Sequence, residues 1–223
     1  MQRYFLNDNK EFLKEDINHL KNVMRFKDGD LIEVCFNDKC YKTKLIVKGN
    51  SFSYEIIDEI KNIKLTKIRL IQGLPKGNKI DFITKSSTIF GVSEIIFVNM
   101  DRSIAKTNNV EHKLNRLEKI IKEASELSKR FNLPKIKFIN NISELTLNLN
   151  TYFLDELEKN NNYQKQIYNQ DEIINVIVGP EGGISSTERD VFLKNGFIPL
   201  SLGSLILPTE LAHIPFLSHF LPK

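Results

Sequence analysis

The sequence predicts an α/β protein in two parts: a small β domain to about residue 68 and, over 69–223, an α/β domain on a largely parallel sheet. Three observations carry this. Residues 30–60 alternate apolar and polar side chains in short runs. After residue 68 the apolar residues gather into compact runs with helical stretches between them. One such run stops at Gly179-Pro180-Glu181-Gly182-Gly183, directly before a helix-start signal.

In the first part, DLIEVCF, YKTKLIV and SFSYEII are separated by the turn formers Asn37-Asp38 and Gly49-Asn50, as in a meander or small barrel. Beyond it, IRLIQGL, EIIFVNM, IKFIN, NTYFLDE and INVIVG read as buried strands. The clearest helix is KLNRLEKIIKEASELSKRF, where Leu114, Leu117, Ile121, Ala124, Leu127 and Phe131 mark one face. Glu118 with Lys122 and Glu126 with Arg130 supply i,i+4 pairs, and Pro134 follows as a stop. The polar stretch around Asn160, Asn161 and Asn162 reads as an exposed loop. Ser185 with Glu188 is a capping box, and residues 196–212 give a short strand, a turn at Gly203, an apolar run and a helix start at Thr209 or Glu210. Pro215 lies beyond the first turn of that helix, which predicts a kink or a late start.

Hydrophobic residues make up 41% of the 223 and charged ones 27%, the balance of a soluble globular protein. No window approaches 18 consecutive apolar residues, and MQRYFLNDNK lacks the features of a secretory signal, so a cytoplasmic protein without a membrane span is expected. Cys35 and Cys40, a lone C-x4-C, are expected to be reduced core thiols rather than metal ligands. His19, His112, His213 and His219 are scattered singly, so no metal site is expected. Residues 1–70 hold 14 basic against 11 acidic side chains, 71–140 hold 13 against 7, and 141–223 hold 5 against 10. The basic front suits a polyanion such as RNA, with solvated surface lysines as the alternative.

A glycine loop between the carboxyl end of a strand and a helix N-terminus is where open α/β sheets bind small ligands. The stretch does not fit the phosphate cradle G-x-x-x-x-G-K-[ST] or the dinucleotide pattern G-x-G-x-x-G. A tight connection without a ligand is the alternative.

Taken together, GPEGG-I-S-x-x-E, the phenylalanine before Pro199-Leu200-Ser201-Leu202-Gly203, and Ile206-Leu207-x-Thr209-Glu210-x-Ala212 resemble the C-terminal signature of the RsmE family. These are bacterial small-subunit ribosomal RNA methyltransferases of the SPOUT superfamily that act on uridine N3. The resemblance runs the length of the chain: His19-Leu20-x-x-Val23-Met24-Arg25 with Gly29-Asp30, Lys76-Gly77-Asn78-Lys79-Ile80-Asp81, Phe90-Gly91-Val92-Ser93-Glu94-Ile95, Asp101-Arg102-Ser103 and Glu123-Ala124-Ser125-Glu126 fall in the family's order. It implies a PUA-like β-barrel domain, then a SPOUT-type trefoil-knotted α/β domain that forms a homodimer. It implies S-adenosylmethionine as cofactor, held bent against backbone amides and carbonyls by Gly179, Pro180, Glu181, Gly182, Leu200, Ser201, Leu202, Gly203, Ile206 and Leu207.

Methylation of uracil N3 requires loss of the N3 proton, hence a base, or donors for charge building on the flanking carbonyl oxygens. Glu210, Thr209, Arg102 and Arg130 are the candidates for this polar work, with Glu210 as base or as a plain helix-start carboxylate. Arg3, Arg25 and Lys76 are candidate RNA contacts. The chain departs from the family where relatives carry two loop arginines, reading Leu205-Ile206-Leu207-Pro208-Thr209-Glu210-Leu211-Ala212, and it has Leu127 where glutamine is usual. Two other readings are a catalytically weak RNA-binding relative and a ribosome-assembly factor that binds no cofactor.

Overall fold

A computed structural model describes residues 1–105 and 110–222, which divide into two compact units, 1–64 with 122–133 and 65–121 with 134–223. The first holds a four-stranded sheet in the order β1 (Arg3–Phe5), β2 (Leu31–Phe36), β3 (Lys39–Lys48), β4 (Ser51–Ile60). Asn37 and Asp38 both take positive φ, 51° and 57°, the two-residue turn that matches the twist of a β2–β3 hairpin. Strand β1 is an addition to the expected meander, pairing parallel to β2. Tyr4, Phe12, Leu20, Ile32, Val34 and Leu45 form this unit's core, with the short helix α1 (Lys14–Asn18) beside β1 in sequence.

The expectation of free thiols at Cys35 and Cys40 is corrected here. The Asn37-Asp38 turn sets a register in which the two residues face each other, and they are joined as a buried disulfide with Cα atoms 4.1 Å apart.

The second unit is a six-stranded sheet in which every pairing is parallel. Its order is β10 (Ile198–Leu200), β8 (Thr151–Leu154), β9 (Ile174–Val178), β5 (Ile68–Gly73), β6 (Glu94–Val98), β7 (Lys135–Ile139). Both faces are covered, which is why its strands read as continuous apolar runs. One face packs Leu70, Phe97 and Val176 against α2 (Lys79–Ile89), α3 (Val110–Leu127) and α5 (Thr209–Ser218). The other packs Ile71, Ile96 and Ile177 against Phe192 of α4 (Ser186–Lys194). The chain runs outward from β5 to β7, then resumes on the far side at β8, so the order reverses beside β5 and the carboxyl ends of β5, β8, β9 and β10 share one edge.

Helix α3 ends at Leu127, earlier than the apolar pattern suggested, and Lys129 takes a positive φ of 59°. Leu127 is 69% exposed rather than on the buried face. The expected charge pairs also differ. Lys122 bonds Asp16 and Glu126 at 2.5 and 2.7 Å, and Glu126 accepts from the Phe5 N–H. Pro215 does not delay α5, which starts at Thr209 because the Pro208 carbonyl accepts from the N–H groups of Leu211 and Ala212; the helix runs through Pro215 and ends at Ser218. No helix among the described residues is long and apolar enough to cross a membrane.

Candidate functional site

The glycine loop leaves β9 and closes on itself, with Gly183 N–H donating to the Pro180 carbonyl at 2.9 Å. A Cβ on Gly179 would stand 2.8 Å from the Gly183 carbonyl carbon. A Cβ on Gly183, whose φ is +72°, would stand 2.8 Å from Glu156 Oε1. Gly179 is therefore required by the loop's own closure and Gly183 by its left-handed backbone, before any ligand is considered. Ser185 then caps α4, its hydroxyl accepting from Glu188 N–H at 3.1 Å and Glu188 accepting from Ser185 N–H at 2.9 Å, as the spacing predicted.

Five polar contacts among the described residues hold the loop, one of them Gln72 Nε2 donating to the Gly179 carbonyl at 3.2 Å. Buried Thr209 donates its hydroxyl to the Gly179 carbonyl at 2.6 Å and accepts from Gln72 Nε2 at 2.8 Å, joining the ends of β5, β9 and α5. Arg102 Nη1 donates to the Gly182 carbonyl at 2.8 Å. Glu181 accepts from the Lys76 N–H at 3.0 Å. Lys79 Nζ lies 3.4 Å from Glu181 and 3.0 Å from Glu210, bridging the loop to the start of α5. The bond to Glu210, joined by that to Glu181, raises the Lys79 pKa and keeps it an ammonium. Burial pushes the Glu210 carboxyl up, but its own backbone N–H and Lys79 more than offset this and hold it below the usual carboxylate range.

Two adjoining cavities open at this edge, of about 530 and 470 Å³, sharing Leu154, Glu156, Ile206, Leu207 and Ala212. Gly179 to Gly183 line the smaller and Ser201 to Leu207 line the larger. Most of the expected cofactor residues are thus brought together. Leu200 is not among the lining residues: its side chain is in the core and its carbonyl accepts from Asp155 N–H at 3.0 Å. The side chains at the missing-arginine segment are apolar and exposed, Leu205 by 78% and Ile206 by 81%.

Two of the expected polar residues are placed otherwise. Arg3 is 2% exposed, with its guanidinium on Glu33 at 2.8 Å, on the carbonyls of Lys129 and Arg130 at 2.5 and 2.7 Å, and over the Phe131 ring. Its burial and these bonds hold it inside the first unit, which does not suit a phosphate contact. Arg130 is buried in the same unit, bonds the Asn132 carbonyl at 3.1 Å and is lowered to about 10 by desolvation. Arg25 and Lys76 are exposed. Sequence reasoning missed Lys79 as a site residue, although it sits in the quoted Lys76-to-Asp81 motif. It also missed Gln72, whose signal is a lone amide in an apolar strand, and Glu156 at the end of β8.

A parallel sheet with a glycine-loop cleft at its carboxyl edge, preceded by a β unit, defines a class to which two family models also point. Residues 61–220 match the RNA methyltransferase domain and residues 12–52 the RNA methyltransferase PUA domain. The chain is 34% identical over 218 residues to ribosomal RNA small subunit methyltransferase E 2 of Borreliella burgdorferi, covering 91% of this chain and 86% of the relative. It is 27% identical to the Bacillus subtilis methyltransferase E, covering 98% and 95%. It superposes on the Neisseria gonorrhoeae methyltransferase E bound to S-adenosyl methionine with a TM-score of 0.85 and 25% identity, covering 98% of this chain and 95% of that one. The chain belongs to the ribosomal RNA small subunit methyltransferase E family, with a PUA domain followed in sequence by an RNA methyltransferase domain.

Proposed function

We propose that this protein methylates uridine N3 in small-subunit ribosomal RNA, with S-adenosylmethionine as cofactor. The observation that carries the reading is the pair of cavities around the glycine loop. Their charged lining is Asp155, Glu156, Glu158 and Glu181 against Lys79 and Lys159, an excess of carboxylate that suits a ligand bearing a sulfonium cation. Bound there, the cofactor supplies an electrophilic methyl carbon. Gly179 to Gly182 offer it backbone groups, while Leu202, Ile206 and Leu207 offer apolar surface. Arg102 and Thr209 act by bracing the loop through its carbonyls.

Methyl transfer to N3 would form the N3–carbon bond, break the carbon–sulfur bond with release of S-adenosylhomocysteine, and pass the N3 proton to solvent water. Glu210, held ionised by Lys79, is a weak acceptor, and its role in this reading is to orient Lys79 and favour the helix start. Lys79, a cation lining the smaller cavity, then stabilises negative charge on a uracil carbonyl oxygen, work the absent loop arginines cannot do. Arg25 and Lys76 contact RNA phosphates. The protein acts as a homodimer in the cytoplasm.

One feature favours a second reading, a catalytically weak RNA-binding relative: Leu205 and Pro208 stand where the family resemblance implies arginine. Incubation with S-adenosylmethionine and small subunits from a strain lacking the modification, followed by nucleoside mass spectrometry, separates the two. Formation of 3-methyluridine is expected. Cofactor binding without any methylated nucleoside favours the RNA-binding relative, and no cofactor binding favours an assembly factor.

A further inference from the structure

Of the carboxylates that line the two cavities, all but one are engaged by protein donors. Asp155 accepts from Arg189 at 2.6 Å and from the Leu157 N–H at 3.0 Å. Glu158 accepts from the N–H groups of Asn160 and Asn161 at 2.8 and 3.1 Å. Glu181 is held by Lys76 and Lys79. Glu156 lines both cavities and has no hydrogen bond or ion pair among the described residues.

Its position is set by the fold. Glu156 lies two residues past the end of β8, and β8 pairs parallel with β9, whose carboxyl end carries the glycine loop. The carboxylate rests against Gly183, where a Cβ would meet Oε1 at 2.8 Å and Oε2 at 3.1 Å. Gly183 leaves room for that carboxylate beside the loop, at the junction of the two cavities.

A carboxylate is an acceptor with two oxygens, and it matches a ligand that presents two adjacent hydroxyl donors. Nucleotide-binding parallel sheets combine the same parts: a glycine loop after one strand and an acidic residue after its neighbour that takes the ribose hydroxyl. We infer that Glu156 is a ligand-binding residue that accepts from the vicinal 2′,3′-hydroxyls of an adenosine ligand, and so selects ribonucleoside over deoxyribonucleoside cofactors. This rests on the cofactor reading above.

The test is calorimetric titration of the full chain and of Glu156→Ala with S-adenosylhomocysteine, its 2′-deoxy analogue and 5′-methylthioadenosine, which keeps the ribose and lacks the amino-acid group. Glu156→Ala is expected to bind S-adenosylhomocysteine and methylthioadenosine about 10- to 100-fold more weakly than wild type. Removing the 2′-hydroxyl is expected to cost affinity in wild type and less than about two-fold in Glu156→Ala, because the two changes delete one interaction. Exposed Glu156 makes no packing contribution, so the variant should unfold at the wild-type midpoint. Unchanged affinity in Glu156→Ala, losses that multiply, or a loss confined to S-adenosylhomocysteine overturns the assignment while leaving the cofactor reading standing. Failure of wild type to bind any of the three at millimolar concentration overturns both.

Discussion

Gly73 is the last residue of β5, under the glycine loop, and Gly73→Ala is the sharpest test of how that loop is seated. The new Cβ would stand 2.5 Å from Pro180 Cδ, 2.6 Å from Pro180 N and 2.9 Å from Met100 Sδ. Carbon–carbon contacts settle at about 3.5–4.0 Å, so the proline must retreat by about 1 Å. Its ring cannot rotate away as a free side chain would. Strand β5 cannot yield instead, since it is hydrogen-bonded on both sides, to β6 and β9. The loop must therefore move, straining Thr209 on Gly179 and Lys76 on Glu181. Overpacking of this kind costs about 1–3 kcal/mol, and the lower entropy of an unfolded alanine returns about 0.4–1 of it. A net loss of roughly 1–2 kcal/mol is expected, a fall in Tm of about 2–8 °C for a chain of this size. Denaturant unfolding and S-adenosylhomocysteine titration are the assays, and affinity should fall about tenfold or more. A Gly73→Ala protein with wild-type stability and wild-type affinity would refute the placement of Pro180 against β5.

Other consequences follow from buried polar contacts. Thr209→Val keeps the shape but removes the donor to Gly179 and the acceptor for Gln72; a loss of about 1–3 kcal/mol is expected in urea unfolding. Lys122→Met leaves Asp16 and Glu126 facing each other largely buried, at a cost of about 3–5 kcal/mol that should lessen as the solution is acidified and Glu126, raised by burial, protonates. Burial lowers His213 from 6.5 to about 4, with Ser86 Oγ 2.8 Å from Nε2. Below pH 6.5 the unfolded chain binds a proton that the folded chain refuses until about pH 4. Stability should therefore fall as pH drops through that window, by on the order of 3 kcal/mol, and His213→Gln, measured by denaturant midpoints from pH 4 to 8, should flatten the dependence.

Legibility in the sequence tracks how local each determinant is. The strands of the second unit were readable because burial on both faces makes them continuous apolar runs, and the β2–β3 hairpin because Asn37-Asp38 writes its own turn. Strand β1 was not, since three residues that pair parallel with β2 carry no local signal. The end of α3 was misplaced because the apolar period runs on to Phe131 after the helix has stopped at Leu127. In the site, the loop was legible through its glycines. Gln72 acquires its role from Thr209, 137 residues away, and Lys79 from Glu181 and Glu210, so neither role is written in the neighbouring sequence. Arg3 shows the converse: a charge suggests solvent and phosphate, and only the fold reveals that its donors are turned inward.

The segment from Leu205 to Pro208, where the resemblance implies two arginines, has a definite place in this arrangement. Among the described residues, the polar contacts that fix the glycine loop come from Gln72, Lys76, Lys79, Arg102 and Thr209, with Glu210 holding Lys79. Among the described residues, no such contact comes from residue 205 or from the side chain of residue 208. Leu205 is exposed at the mouth of the larger cavity, so its replacement changes what meets the substrate and leaves the cradle as it is. Leu205→Arg should keep S-adenosylhomocysteine affinity within about two-fold, since no packing is disturbed. It should tighten RNA binding and steepen the dependence of log affinity on log salt by about one, as expected of one added phosphate contact. A tenfold loss of cofactor affinity in Leu205→Arg would show instead that the exposed segment shapes the cofactor site, and the division of labour between a backbone-built cradle and a side-chain-built RNA contact would fall.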